Sequence, residues 1–221
     1  MSDTVAPEPT PPKPARKATL RFGKYGLNAI LVVFILIIAL PLLFLGYRVA
    51  LNFKAKRDIT IAENNLHSLY EALYHYSLDW DGKLPPSEEW TDAATGYLPS
   101  ASGLAGGKQS YLAGPGDGEK VGYIYNESAG GYNIQDEEKI GPDGKKHKID
   151  PHQLILLIEH AGSQSNSHQN MPVQGTSSAA DALYKILDFP HFSDDPDNAA
   201  TVVLYASGAV SVRTRKDFKQ P

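Results

Sequence analysis

The sequence of 221 residues contains no cysteine, which excludes disulfide bonds, zinc-thiolate centres and thiol catalysis. Signatures of common enzyme sites are missing as well. No serine lies in a Gly-x-Ser-x-Gly elbow. The glycine-rich stretch 100–118 lacks the pattern of a phosphate-binding loop, because Lys108 is followed by Gln109 rather than by serine or threonine. No catalytic constellation emerges, and the sequence predicts that the protein is not an enzyme.

An excess of basic residues is also lacking. The chain has 25 acidic residues against 21 lysines and arginines, a formal net charge of −4. Basic side chains of the C-terminal half cluster only at 145–148 and 213–216. Because nucleic-acid binding requires a basic surface, we expect no nucleic-acid partner.

Long apolar runs are absent with one exception, residues 27–47, which contain no charged side chain. About 20 such residues are needed to cross the apolar core of a bilayer as a helix. Asn28 is the only clearly polar side chain of the run, so no polar face is left for solvent. Pro41 removes one backbone hydrogen bond and should bend the helix, which membrane helices tolerate. The sequence therefore predicts a transmembrane helix, with the lipid bilayer as its partner.

The flanks of this run differ in charge. Residues 1–19 are rich in proline and small or charged residues, which predicts a disordered tail. The chain after the run has a net negative charge. Five basic residues precede the run: Lys13, Arg16, Lys17, Arg21 and Lys24. This charge distribution favours a cytoplasmic N-terminus. The predicted organisation is a tail (1–24), a transmembrane helix (25–48), an amphipathic stalk helix (49–84) and an extracytoplasmic head (85–221).

Residues 59–80 have the periodicity of an amphipathic helix. Its apolar stripe comprises Ile59, Ala62, Leu66, Leu69, Leu73, Tyr76 and Trp80. The opposite ridge comprises Glu63, His67, Glu71, His75 and Asp79. We interpret this ridge as a solvated charged face rather than a metal site, because ligands on one exposed face have no second element to close the coordination shell. Gly82 and the pair Pro85-Pro86 should end the helix.

The remaining segments predict a small antiparallel sheet that covers the apolar stripe, which gives an α+β fold. Candidate strands are 122–126, 131–134, 154–158, 201–205 and 209–213, with a turn at 141–144 and a short helix at 176–187. Glu159 and His160 are adjacent on a strand and should point to opposite faces. His191 is a polar core residue, a loop residue or a ligand, three alternatives that the sequence leaves open.

A family resemblance follows from these motifs. Asn64-Asn65-Leu66 and the exit Asp79-Trp80-Asp81-Gly82-Lys83-Leu84-Pro85-Pro86 resemble the end of the long helix in type IV pilin-like proteins and type II secretion pseudopilins. The stretches 154–162 and 191–210 extend the likeness to pilin-like proteins that end in a histidine, a spacer and an Asp-Gly hairpin, although Ser207-Gly208-Ala209 stands in place of Asp-Gly-His. The resemblance implies a bacterial inner-membrane protein with its head in the periplasm or outside the cell, and pilin or secretion-system subunits as partners.

The resemblance also implies a processing site. Lys24 and Gly26 match the basic leader and glycine of prepilins, so the resemblance places a candidate cleavage site between Gly26 and Leu27. The glutamate that the family carries at the fifth mature position is replaced by Leu31, which cannot pair with the N-terminal amine of a neighbouring subunit. A subunit without that glutamate would fit only at a filament tip, and the alternative is an unprocessed relative that stays in the membrane. We expect the unprocessed membrane anchor rather than a repeating filament subunit.

An acidic loop follows His191. It contains Asp194, Asp195, Asp197 and Asn198 around Pro196. Oxygen ligands of this kind suit calcium, and major pseudopilins carry a calcium-bearing loop in the same region. The complete ligand spacing is absent, and acidic loops are common turns. Calcium is thus the one cofactor candidate.

Three function classes remain. The first is a structural or accessory component of a secretion or pilus system. The second is a membrane-tethered binding module whose head recognises a ligand through its loops, independent of any filament. An anchored hydrolase ranks last, because no polar pocket can be assigned from the sequence.

Overall fold

A computed structural model describes residues 24–100, 107–114, 121–141, 143–172, 183, 185, 187–192 and 198–218. It contains one long helix, α1 (Lys24–Asp79), followed by two short helices, α2 (Trp90–Tyr97) and α3 (Gln109–Leu112). Seven strands come next: β1 (Val121–Asn126), β2 (Glu138–Ile140), β3 (Lys146–Lys148), β4 (Ile155–Ser163), β5 (His168–Gln169), β6 (Ala200–Tyr205) and β7 (Val210–Thr214). The predicted α+β fold, a long N-terminal helix with a small antiparallel sheet, is confirmed.

The chain divides into two compact units, Met1–Arg48 and Val49–Pro221, and α1 contributes to both. In the first unit the helix continues through Pro41. Its large apolar side chains are exposed, and Leu31, for example, keeps 60% of its surface. Leu31–Asp79 is long and apolar enough, by length and composition, to cross a membrane.

In the second unit, α1 supplies one wall of the core. Ala62, Leu66, Leu69 and Leu73 are fully buried, as their spacing predicted. The inclusion of Trp80 in this stripe was wrong, since 57% of its side chain is exposed. Its position explains this: α1 ends at Asp79, so Trp80 no longer follows the helical periodicity.

The opposite ridge of α1 faces solvent. His67, Glu71, His75 and Asp79 are exposed, and Glu63 is half-buried. Within the described ranges, no group of three or more histidine, aspartate or glutamate side chains is arranged to hold a metal ion. The exposure of these side chains gives the ridge the character of a solvated charged face.

The chain leaves α1 through two residues with positive φ, Asp81 (53°) and Gly82 (78°). The amide of Gly82 donates to the carbonyl of Ser77 at 2.8 Å, which caps the helix end. Nδ2 of Asn133 donates to the carbonyl of Asp81 at 3.1 Å. A Cβ atom at position 82 would lie 2.7 Å from Oδ1 of Asn133, so only glycine fits this exit without displacing the asparagine.

The main sheet has five strands in the order β5-β1-β4-β6-β7, and β2 and β3 form a separate hairpin. β4 is central and antiparallel to both β1 and β6, while β6 is antiparallel to β7. The short β5 is parallel to β1. Four of the five predicted strands correspond to β1, β4, β6 and β7, and β4 extends further than predicted.

Other predicted elements fared differently. The predicted strand at 131–134 was wrong: this segment is a turn with isolated bridges, because Gly131 has a φ of 69° and the Asn133 carboxamide accepts from the amides of Gln135 and Asp136. The turn predicted at 141–144 joins β2 to β3, and Gly144 has a φ of 73°. Of the helix predicted at 176–187, all but residues 183, 185 and 187 lies outside the described residues.

Both faces of the main sheet are covered. The α1 stripe packs in one core cluster with Tyr123, Tyr125, Leu157 and Leu204. On the other face, a second cluster contains Ile155, Ile158, Val203, Phe189 and Phe218. α2, which the sequence did not predict, is anchored by the fully buried Trp90, whose ring stacks on Tyr125 at 5.8 Å.

Candidate functional site

A groove of about 910 Å³ opens at the end of α1. It is formed by four segments: the last turn of α1, the exit from that helix, the start of α2, and the turn at residues 127–131. All four belong to the second unit of the chain. The described lining residues are Tyr76, Asp79, Trp80, Asp81, Lys83, Leu84, Pro86, Ser87, Glu88, Glu89, Asp92, Ala93, Glu127, Gly130 and Gly131.

Aromatic rings form one wall of the groove. The rings of Tyr76 and Trp80 stack with centroids 5.4 Å apart and an interplanar angle of 11°. The ring of Tyr97 meets Tyr76 edge-on at 5.9 Å. The Tyr97 hydroxyl donates to Oδ2 of Asp79 at 2.8 Å, and this hydrogen bond is the main reason why the pKa of Tyr97 is raised. The wall therefore holds its geometry through stacking and one hydrogen bond, while Trp80 stays largely exposed.

The remaining lining is strongly acidic. Lys83 is the single basic residue among the described lining residues. Six lining residues carry carboxylates: Asp79, Asp81, Glu88, Glu89, Asp92 and Glu127. His168 lies 3.6 Å from Glu127, and Asn166 donates to Asp92 at 3.0 Å. Burial raises the pKa of Tyr76, and the charge of Glu89 adds to the rise. The groove thus combines an aromatic surface with a local excess of negative charge.

Hydrogen bonds to residues 166 and 167 fix the start of α2. Nε1 of Trp90 donates to the carbonyl of Ser167 at 3.0 Å, and the amide of Thr91 donates to Oδ1 of Asn166 at 2.8 Å. The hydroxyl of Tyr125 donates to the carbonyl of Pro85 at 3.1 Å. These hydrogen bonds fix the segment between α1 and α2 at both of its ends. The backbone that carries Glu88 and Glu89 is therefore held in place.

A second polar feature lies inside the head. Nε2 of His191 and Oε2 of Glu159 are 2.7 Å apart, and both side chains are buried. Thr201 donates through Oγ1 to the carbonyl of Glu159 at 3.2 Å. Of the three alternatives for His191, the structure selects a polar core residue. The pairing was missed because 32 residues separate the two partners in the sequence, and neither of them lines the groove.

Beside this pair lies a buried hydroxyl without a hydrogen bond. Tyr123 faces Glu159 across the β1–β4 pairing, and its hydroxyl has no partner among the described residues. The nearby Nδ2 of Asn65 donates instead to the carbonyls of Ser110 and Ala113. Burial raises the pKa of Tyr123 far above its usual range, and the charge of Glu159 raises it further.

The structure describes only some of the residues that the sequence predicted as sites. Gly26, Leu27 and Leu31 lie on α1. Of the calcium candidates, Asp194, Asp195 and Asp197 lie outside the described residues, and Asn198 is exposed in a turn before β6. The Ser207-Gly208-Ala209 turn closes the β6–β7 hairpin, with Gly208 at a φ of 84°.

The groove itself was not predicted, although its signal is visible in the sequence. Three acidic residues and two tryptophans occur within residues 80–90, around two prolines. This composition is also that of an ordinary helix exit, so the sequence alone does not indicate a groove. Only the folded chain shows that Trp80 leaves the core and that α2 turns back beside it.

Neither a protein-family model nor a curated protein nor a solved structure matches this chain.

Proposed function

We propose that the protein is a single-pass membrane-anchored, pilin-like structural or accessory component of a secretion or pilus-type system, without enzymatic activity. One observation carries the proposal: a single helix, α1, is apolar and exposed in its first part and supplies the core stripe of an antiparallel head in its second part. This division of one helix suits a protein that is held in a membrane and displays a folded head outside it.

The environment of the apolar segment supports a bilayer as its solvent. Phe34, Ile37, Leu40 and Leu43 each expose between 60% and 70% of their surface, although apolar side chains of this size are normally withdrawn from water. Lipid satisfies such a surface, and the helix satisfies its own backbone hydrogen bonds there. In this proposal the membrane is the bacterial inner membrane, and the basic N-terminal tail is cytoplasmic.

Leu31 supports an anchor rather than a repeating filament subunit. The resemblance assigns this position to a glutamate that pairs with a neighbouring subunit, and a leucine offers no charge for that pair. The proposal therefore includes retention of the residues before Leu27 in the mature protein.

A membrane-tethered binding module is the second candidate. It is favoured by the groove, whose stacked aromatic wall and acidic lining exceed what an anchor or a spacer requires. Such a module would act without pilin or secretion-system partners.

The mature N-terminus and the membrane location test the first proposal. Intact-mass spectrometry of the full chain expressed in a bacterium should show a protein that retains Met1 or Ser2, recovered in the inner-membrane fraction and released by detergent. A matched variant with lysines at Leu36 and Ile37 should leave that fraction, because each lysine at a helix centre costs about 3 kcal/mol of insertion free energy. A chain that begins at Leu27 would contradict the unprocessed anchor.

Partner capture separates the two candidates. Co-purification of the tagged, membrane-extracted protein with pilin or secretion-system subunits supports the first, and its absence in a strain that contains such a system would contradict it. Wild-type membrane location for the lysine variant would contradict the anchor in both candidates.

A further inference from the structure

The groove at the end of α1 has a composition that membrane anchoring does not require. Trp80 keeps 57% of its surface exposed although it directly follows α1, whose apolar stripe is buried. One ring face of Trp80 is supported by Tyr76, which fixes the orientation of the indole. A large aromatic side chain that is exposed, oriented and placed in a concave site is typical of a binding surface.

The charge of the groove determines the sign of its ligand. Asp79, Asp81, Glu88 and Glu89 form no ion pair with any residue that the structure describes. These four carboxylates lie around the aromatic wall, and all are exposed. Their combined field attracts cations and repels anions, including nucleic acids and phosphorylated ligands.

We propose that this groove binds a basic polypeptide segment, with an arginine or lysine side chain on Trp80 and further cationic side chains beside Glu88 and Glu89. Tryptophan is the best aromatic partner for a cation, and a guanidinium group stacks on its face. The inference goes beyond the proposed function, because it holds for a tethered binding module as well as for a pilin-like component.

The dimensions favour a peptide over a single small cation. A volume of about 910 Å³ is near the upper end of the range for sites that enclose a drug-sized ligand, about 300–1,000 Å³. One ammonium or guanidinium group would fill a minor part of it. Carboxylates occur on both the α1 side, at Asp79, and the α2 side, at Asp92, so several cationic side chains of one segment find partners at the same time.

A neutral sugar is the main competing occupant, since sugars also stack on aromatic rings. It would gain little from the excess of negative charge, whereas a basic peptide gains from both the ring and the carboxylates. The competing occupants are distinguished by experiment rather than by shape.

The test uses the full chain in nanodiscs of zwitterionic lipid, so that the bilayer itself does not attract a basic peptide. The probe is a fluorescein-labelled peptide of three arginines separated by glycines. Its control is the same peptide with citrulline, a neutral isostere, in place of each arginine. Fluorescence anisotropy at low and high salt should show binding of the arginine peptide only, weakening as salt rises.

Three protein variants locate the binding. Trp80→Leu should weaken the affinity about tenfold, and Trp80→Phe should retain most of it, because a phenyl ring still offers a π-face. The double variant Glu88→Gln and Glu89→Gln should weaken it at least as much. Its matched control is Glu63→Gln with Glu71→Gln, which changes the net charge equally at earlier positions of α1 that do not line the groove, and it should bind like the wild type.

Four outcomes would overturn the inference. The first is equal binding of the citrulline peptide, and the second is equal loss in the two double variants, which would reveal attraction by net charge alone. The third is equal affinity of Trp80→Leu and the wild type. The fourth is binding of a neutral oligosaccharide such as chitotriose in the absence of arginine-peptide binding. Thermal unfolding of each variant verifies that the head is folded, as expected for substitutions of exposed residues.

Discussion

His191 and Glu159 form a buried pair, with Nε2 and Oε2 2.7 Å apart and no more than 5% of either side chain exposed. Glu159 belongs to the central strand β4, and His191 is held by a backbone bridge to Ala200 at the start of β6. The pair thus connects the segment before β6 to the middle of the sheet. Because both groups have left water, each depends on the other for its polar partner.

Replacement of one member should therefore cost more than replacement of both. We expect His191→Ala to lower the free energy of unfolding by about 3 kcal/mol, since it leaves a buried carboxylate without its partner. The double variant Glu159→Leu and His191→Leu removes both polar groups, so its free energy of unfolding should fall by less than that of His191→Ala. Urea unfolding of the full chain in nanodiscs, followed by far-ultraviolet circular dichroism, measures both values. A single variant that costs less than the double would contradict this account of the pair.

Two neighbouring tyrosines of β1 give a matched comparison. The hydroxyl of Tyr123 is buried and has no hydrogen-bond partner in the part of the chain that the structure describes, whereas that of Tyr125 donates to the carbonyl of Pro85. Tyr123→Phe should leave stability unchanged or raise it by up to about 1 kcal/mol, because an unsatisfied polar group is removed. Tyr125→Phe should lower it by about 1 kcal/mol, because it abolishes a hydrogen bond. The same urea experiment measures both, and equal effects would contradict the assigned difference.

Alkaline pH should weaken the head through its tyrosines. Burial, followed by the charges of Glu137 and Asp150, raises the pKa of Tyr132 from 10.0 to about 12. Between these values the unfolded chain releases a proton that the folded chain retains, so stability is complete below pH 10 and falls as the pH rises towards 12. Unfolding at pH 9, 10, 11 and 12 should show this fall, and Tyr132→Phe should make it shallower. An unchanged pH dependence in the variant would exclude Tyr132 as a contributor.

Alanine substitutions at two turn glycines should distinguish the cost of backbone strain from the cost of steric crowding. Gly208 and Gly144 both have positive φ, 84° and 73°. A Cβ atom at position 208 would lie 2.7 Å from the Tyr70 ring, but at position 144 it would meet no atom within 4 Å. Gly144→Ala should cost about 1 kcal/mol of stability for its φ alone, and Gly208→Ala should cost more. Tyr70→Ala should relieve part of the cost of Gly208→Ala, which a double-mutant cycle would measure as a non-zero coupling energy. Additive effects of the two substitutions would contradict the contact.

The sequence predicted those elements whose signal is local. The stripe of α1 follows from residues three and four apart, and β1, β4, β6 and β7 follow from short β-branched or aromatic runs between turns. The short helix α2 escaped prediction because its eight residues are held by Trp90 packing on Tyr125, a contact between distant segments. Tertiary contacts of this kind override local propensity.

The candidate sites depended even more on long-range geometry. Trp80 fits the helical stripe by spacing, and only the end of α1 at Asp79 places it in the groove. Glu159 and His191 are isolated polar residues in the sequence, and they meet because β4 pairs with β6. The groove and the buried pair could therefore not be assigned before the strand order was known.

The strand order also determines when the strands of the head can pair during synthesis. The central strand β4 pairs with β1, which precedes it, and with β6, which begins only at Ala200. A ribosome completes the stripe of α1 long before it reaches β6, since chains are made from the N-terminus. Until then one edge of β4 stays open to pairing with other chains. A stalled or truncated nascent chain that lacks β6 would therefore be prone to aggregation and would be expected to bind chaperones.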